Sequence, residues 1–272
     1  LLAAAISGTS LLTIQGTAGT TDDQIKYSWN YALLLAEGPS VRALVPSPLF
    51  TALKAGAIVR FEEITRCQPE IQDTLVSLLS EKSLHVPELT GTDGVVFAEK
   101  GFNIVATANL RDRGVHEMSS ALKRRFNFET VAPLADKAVE LRLVKEQTDA
   151  LLRESGVQVE CPPEVLELLV TTFHDLRNGR TSEGTVVEKP STVMSTAEAV
   201  AVGHSAALDA AYFGNGKLES GHIARQILGT VLKDNPDDLK KLKQYFDVVV
   251  KARGKGHKTW QQFYEAKKWL RG

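Results

Sequence analysis

Two adjacent carboxylates, Glu62 and Glu63, close the apolar run Ala57-Ile58-Val59-Arg60-Phe61. A continuous apolar run of that length reads as a strand buried on both faces of a parallel sheet. The pair then falls at the strand's carboxyl end, the edge at which open α/β sheets bind ligands. Successive strand residues point to opposite sides, so the two carboxylates can divide a task. One can hold Mg²⁺ through water while the other polarises an attacking water. A solvated strand end would carry the same residues, so the pair needs company, and two other signals supply it. The run Phe102 to Ala108 leads into Asn109, whose amide could orient a water against a γ-phosphate, although a turn residue is the plainer reading. Ala121-Leu122-Lys123-Arg124-Arg125-Phe126 reads as a helix closing on cations. Cations suit a helix C-terminus for dipole reasons alone, and they also suit an arginine reaching a neighbouring subunit's nucleotide.

The elements that must position these residues alternate. Leu11 to Gln15, Ala57 to Phe61 and Phe102 to Ala108 read as buried strands, with Phe126 to Val131 a weaker fourth. Helical stretches lie between them at Asp22 to Ala36, Ser47 to Ala55, Pro69 to Glu81 and Ser119 to Arg125. That alternation predicts an α/β layer with a mostly parallel sheet. Leu84 to Lys100 breaks it with two short extended runs around Asp93-Gly94, a favoured turn pair, and reads as a hairpin. After Pro133 only helical periodicity remains: Ala135 to Glu154, Pro163 to Leu176, Ser191 to Tyr212, Ser220 to Leu232 and Asp237 to Lys251. Arg177 to Pro190 is polar and reads as a loop. A boundary near Pro133 follows, giving an α/β core over 1–132 and an all-α unit over 133–272.

Bulk properties exclude several classes. The 272 residues are 43% hydrophobic and 24% charged with a net charge of −1, an ordinary globular composition. Two cysteines, Cys67 and Cys161, make no disulfide framework, and a reducing, cytoplasmic setting is expected. No apolar run nears the ~20 residues that span a bilayer. Leu1 to Ile6 reads as the end of a helix stopping at Gly8 rather than a signal peptide, with the natural protein expected to begin upstream. The histidines 85, 116, 174, 204, 222 and 257 show no ligand spacing for a metalloenzyme. From Lys233 to Gly272 eleven Lys/Arg stand against five Asp/Glu. A solvated helix face explains that excess, with Trp260, Phe263, Tyr264 and Trp269 as packing residues, and a nucleic-acid partner is not expected.

Carboxylate pair, hairpin, strand ending in Asn, then Arg-Arg-Phe resembles, in that order, the AAA+ ATPase core over Leu11 to Phe128. Gly16-Thr17-Ala18-Gly19-Thr20 and Leu44-Val45-Pro46-Ser47-Pro48 resemble the MoxR and dynein-related branch. The resemblance implies a P-loop NTPase fold followed by a helical lid, with an insert in helix 2 over about 15–46 and a hairpin before sensor 1 over about 84–100. It implies ATP and Mg²⁺, with Glu62 on Mg²⁺ through water, Glu63 activating water, Asn109 as sensor 1, and Arg125 beside Arg124 as the finger. It implies a homohexameric ring that remodels protein clients as a chaperone, with von Willebrand A-domain proteins among its partners.

The pattern also departs from the family. No G-x-x-x-x-G-K-[ST] occurs, so no residue of the chain is assigned to the phosphate cradle. The expectation is that the loop and the first strand lie upstream, leaving a parallel sheet without its first strand and this stretch unstable by itself. Glu62 stands where the family has Asp. No arginine occupies Ser191-Thr192-Val193-Met194, where the lid's sensor 2 belongs, leaving Arg180 and Arg225 as alternatives. Two other functions stay open beside the remodelling ATPase: a nucleotide-binding scaffold with little hydrolysis, and a nucleic-acid motor or loader.

Overall fold

The computed structural model of the chain describes residues 5–6, 8, 11–109, 114–233 and 235–270. The helix expected at the amino end therefore lies largely outside the described residues. Contacts divide the chain into two compact units, Leu1–Glu129 and Thr130–Gly272.

The first unit is the α/β layer that alternation demands. β1 (Thr13–Gln15) is followed by α1 (Asp22–Ile25), β2 (Tyr27–Trp29), α2 (Tyr31–Glu37) and β3 (Leu44–Pro46). Then come α3 (Pro48–Ala55), β4 (Ile58–Glu62), α4 (Pro69–Glu81), β5 (Ser83–His85), β6 (Val95–Phe97), β7 (Asn103–Ala106) and α5 (Ser120–Lys123). The main sheet is parallel, in the order β1-β4-β7, with Thr13 beside Arg60 and Arg60 beside Val105. β4 is central, and Ile58, Val59 and Phe61 are buried while Arg60 between them stays partly exposed. α3 starts on Ser47, whose hydroxyl accepts from the Phe50 amide at 3.0 Å, with Pro48 in its first turn. It stops at Gly56 in the left-handed region, φ 63°. Gly56 faces Gly101, and a Cβ on either would meet the other segment's backbone, at 2.4 Å from Lys100 O or 2.5 Å from Gly56 O. β4 and β7 thus enter the sheet through a contact that excludes any side chain.

Three readings of the sequence need correction here. Asp22 to Ala36 is not one helix. Tyr27-Ser28-Trp29 leaves it to pair antiparallel with Leu44-Val45-Pro46, and Tyr27 packs edge-on against Trp29 and Phe50. Aromatics that find a cross-strand partner gain more than a weak helix offers. Phe126 to Val131 is not a strand. No described strand lies alongside it to satisfy its backbone, and Phe128 and Val131 are exposed. The hairpin is real but not tight: Ser83 pairs with Phe97 and His85 with Val95, and a 3₁₀ turn over Gly91–Gly94 sits inside the connection.

The second unit is helical: α6 (Lys137–Glu154), α7 (Pro163–Asn178), α8 (Thr196–Phe213), α9 (Ser220–Val231), α10 (Asp237–Tyr245), α11 (Lys251–Gly254) and α12 (Lys258–Glu265). α10 and α11 are one continuous helix joined through a π turn, Phe246–Val250. α12, which the sequence reading left unassigned, packs the buried Phe263 against Phe246, ring centroids 4.5 Å apart. Two buried charge networks hold this core. Glu140, fully buried, accepts from Arg177 Nη2 (2.9 Å), His174 Nε2 (2.5 Å) and Thr196 Oγ1 (2.7 Å). Burial alone would raise its carboxyl, yet Arg177, Thr196 and His174 more than offset that and hold it below the ordinary value. Asp175 accepts from Tyr245 Oη (2.8 Å) and Arg253 Nη1 (2.7 Å), and Arg253 also bridges to Glu183 (2.7 Å) and covers the Trp260 ring. Burial dominates at Asp175 and raises its carboxyl despite Arg253. No described helix is long and apolar enough to cross a membrane.

Candidate active site at the carboxyl edge of the sheet

Because β1, β4 and β7 are parallel, their carboxyl ends meet at one edge: Gly16 after β1, Glu62-Glu63 closing β4, and Thr107 to Asn109 after β7. Gly16 donates to Glu62 O at 2.7 Å. A Cβ there would lie 2.4 Å from Glu63 O and 2.9 Å from Glu62 O, so only glycine lets β1 run this close beneath the pair.

Past Phe61 the chain turns sharply. Glu63 takes the left-handed conformation, φ 53° and ψ 45°, and caps a 3₁₀ turn over Ile64–Arg66. For a residue with a side chain that conformation costs about 1–2 kcal/mol, and hydrogen bonds on both sides offset it. The Glu63 amide donates to Thr107 Oγ1 (3.0 Å), the Glu63 carbonyl accepts from Arg66 N (2.9 Å), and Ile64 N donates to Thr107 O (3.0 Å). Thr107 is at the same time a donor: its hydroxyl gives its proton to Glu62 Oε2 at 2.6 Å. Arg60, two residues back on the same face of β4, places Nε 3.7 Å from Glu62 Oε1. Arg66 Nε lies 2.5 Å from Glu63 Oε2. Both carboxylates keep contact with solvent, side chains 27% and 45% exposed, so a ligand or a water can reach them.

Mg²⁺ prefers hard oxygen donors, keeps several waters, and uses one or two carboxylates with substrate phosphates. A solvent-accessible Glu62 beside Glu63 fits that requirement. A closed protein cage does not arise, since among the described residues no three His, Cys, Asp or Glu converge as a ligand set.

Asn109 follows Thr107 by two residues and is exposed at the same edge. Arg124 and Arg125 are exposed at the end of α5, which Ser119 fastens to α4 through Asp73 (2.7 Å). Arg125 donates from Nε to Ser80 Oγ and from Nη1 to Ala121 O, both 2.6 Å, and neither bond leads to the carboxylate pair. The fold thus joins Glu62, Glu63 and Thr107 directly, while the bonds of Arg125 run to Ser80 and Ala121. In the helical unit Arg180 lies in an isolated bridge with Val186, while Arg225 pairs with Asp209 (3.2 Å) and stacks on Trp269. The arginine that reaches 191–194 is Arg177, whose Nε donates to Met194 O (2.8 Å) and whose remaining nitrogens are taken by Glu140.

Known families account for most of this chain. Residues 1–126 match the family described as AAA domain (dynein-related subfamily), and residues 138–271 match the YehL-like AAA+ ATPase C-terminal domain. Over 268 residues the chain is 51% identical to the uncharacterised protein YehL of Escherichia coli K12, covering 98% of this chain and 73% of that one. The chain belongs to the AAA+ ATPases. An uncharacterised Staphylococcus aureus protein is 34% identical over 91 residues, 34% of each chain. Among solved structures, NtrX from Brucella abortus shares the fold at 12% identity and a TM-score of 0.55, over 95% of this chain and about half, 52%, of its own. For an AAA+ chain, a parallel sheet with carboxylates at its carboxyl edge and a following all-helical unit is the architecture to expect.

Two residues at this candidate site, Gly16 and Thr107, stand outside the expectations drawn from the sequence. For Gly16 the available signal is a glycine directly after a buried strand. Thr107 was read as strand filling, and a hydroxyl at the last position of a strand beside two carboxylates was the available clue.

Proposed function

We propose that the chain carries the hydrolytic edge of a ring-forming ATPase that remodels proteins, in the manner of MoxR-like chaperones. The observation that carries this reading is the carboxylate pair at the carboxyl end of β4, bound to the end of β7 through Thr107. In this reading Glu63 would take the proton of the attacking water, Asn109 would orient that water, and Glu62 would help to hold Mg²⁺ through water. Mg²⁺, when bound, would supply neutralisation of phosphate charge. Arg125, with Arg124 beside it, serves the neighbouring subunit of a homohexamer, and its exposed place just past α5 suits that use. A cytoplasmic protein client, with a von Willebrand A-domain protein as partner, completes the proposal.

The scaffold reading has one observation in its favour: Arg66 Nε already occupies Glu63 Oε2, an oxygen that a general base would turn to water. The nucleic-acid reading loses support, because Lys233, Lys240, Lys241, Arg253 and Lys267 of the basic tail each have a carboxylate partner. ATP turnover of the purified full-length protein, measured beside Glu63→Gln, decides between the first two. A fall on the order of 10²–10⁴-fold with ATP binding retained supports hydrolysis. Slow turnover indifferent to the substitution supports the scaffold.

A further inference from the structure

The carboxylate pair is held by a row of side chains that crosses all three strands. On β1, Thr13 Oγ1 accepts from Arg60 Nε (3.2 Å) and Nη2 (2.9 Å). Arg60 turns its guanidinium toward Glu62 Oε1, and Thr107 beyond β7 closes the row on Glu62 Oε2. A hydroxyl has one proton to give and lone pairs to accept. At Thr107 the proton goes to the Glu62 carboxylate and a lone pair takes the Glu63 amide. One side-chain atom therefore fixes two different things: the orientation of one carboxylate and the backbone turn that aims the other.

We propose that Thr107 is a positioning residue for ATP hydrolysis, setting Glu62 and Glu63 in a common frame through its hydroxyl; this rests on the ATPase reading above. The need for it follows from the two glutamates themselves. Glutamate has one more rotatable bond than aspartate, and a solvent-accessible Glu62 would spend that freedom among rotamers. A charge-assisted hydrogen bond of 2.6 Å on one oxygen, with a cation anchored to the next strand facing the other, removes it. Glu63 has the complementary problem, a left-handed backbone that must be held at the end of β4, and its amide bond to Thr107 holds it. Thr107 touches neither substrate nor reacting water in this account. It acts through the two carboxylates, so its loss should reach the chemical step and Mg²⁺ use more than ATP affinity.

Full-length protein carrying Thr107→Val or Thr107→Ser, compared with wild type and Glu63→Gln, tests this. Valine keeps the branched shape and removes the hydroxyl, whereas serine keeps the hydroxyl and removes the methyl. Thr107→Val is expected to lower kcat about tenfold or more, to leave KM for ATP within about twofold, and to raise the Mg²⁺ concentration for half-maximal turnover. Thr107→Ser is expected to keep kcat within about threefold of wild type. Hydrogen exchange gives a readout independent of activity: the Glu63 amide should exchange about tenfold faster in the valine protein alone, because only there does it lose its acceptor. Wild-type kcat in Thr107→Val overturns the proposal. So does a serine protein as impaired as the valine one, which would assign the effect to packing of the methyl group. Should wild type and Glu63→Gln both fail to turn over ATP, the ATPase reading falls, and exchange at Glu63 then decides the frame alone. Acceleration confined to valine upholds it, and equal rates overturn it.

Discussion

The two units handle charge in opposite ways. The α/β unit leaves Glu62 and Glu63 partly open at a strand edge, with side chains 27% and 45% exposed and few partners each. The helical unit buries Glu140 completely and saturates it with Arg177, His174 and Thr196. By residue type alone the second group is the better imitation of an active centre, since it has a carboxylate, an imidazole and a guanidinium within bonding distance. It has no capacity to spare, and its Arg177 also ties down the Met194 carbonyl just ahead of α8. Saturated and dry, such a cluster locks helices together; open and half-used, the carboxylate edge can take on a ligand.

The contrast can be broken most forcefully at Glu140. Glu140→Ala strands Arg177, whose side chain is 9% exposed, as a buried cation without its partner, and should cost about 3–5 kcal/mol in denaturant unfolding of the helical unit. A loss under about 1 kcal/mol would show the network to be ornamental to stability. Next in size is Gly16→Ala. Its methyl meets backbone rather than a yielding side chain, so about 1–3 kcal/mol of overpacking falls on the α/β unit. ATP turnover should drop with it, since Glu63 O must move; unchanged turnover and stability would contradict the close approach described above. The smallest effect concerns acid. Glu183 is held at about 2 by hydrogen bonds from Arg253. A carboxyl depressed from the usual value near 4.3 adds stability above that pH, and the gain is lost as pH falls toward 2. The side chain is 57% exposed, so solvent screening limits the gain to about 1 kcal/mol or less. Glu183→Gln should thus lower the melting temperature slightly at neutral pH and progressively less as pH falls through about 2, whereas an undiminished deficit in acid would assign the loss to shape. Asp175, raised by burial, works with the opposite sign, which is why the difference between the two proteins is the quantity to follow.

Much of the α/β architecture is legible in the sequence. A run such as Ile58 to Phe61 can be satisfied only between two other strands, and it occupies the centre of the sheet. What escaped depended on partners distant in sequence. Tyr27 to Trp29 became a strand because Leu44 to Pro46 lies beside it, and Phe126 to Val131 failed to become one for want of a neighbour. At the site, residue types announced Glu62 and Glu63, but the hydroxyl joining them comes from 44 residues further along, and no local pattern encodes that meeting. Arg177 escaped for a similar reason: the sequence reads it as the start of a loop, whereas the helix runs on to Asn178 and carries it to Met194.

The π turn between α10 and α11 has a consequence for phase. Tyr245 and Arg253 both bond Asp175 Oδ2, although they stand eight positions apart. Eight steps of about 100° leave two residues of a regular helix some 80° out of line. A turn closed by i→i+5 bonds takes up one residue more than an ordinary turn, so the eight steps rotate the chain about as far as seven would, within about 20° of two full revolutions. The wide turn works as a vernier, resetting the helix so that phenol and guanidinium converge on a single oxygen atom.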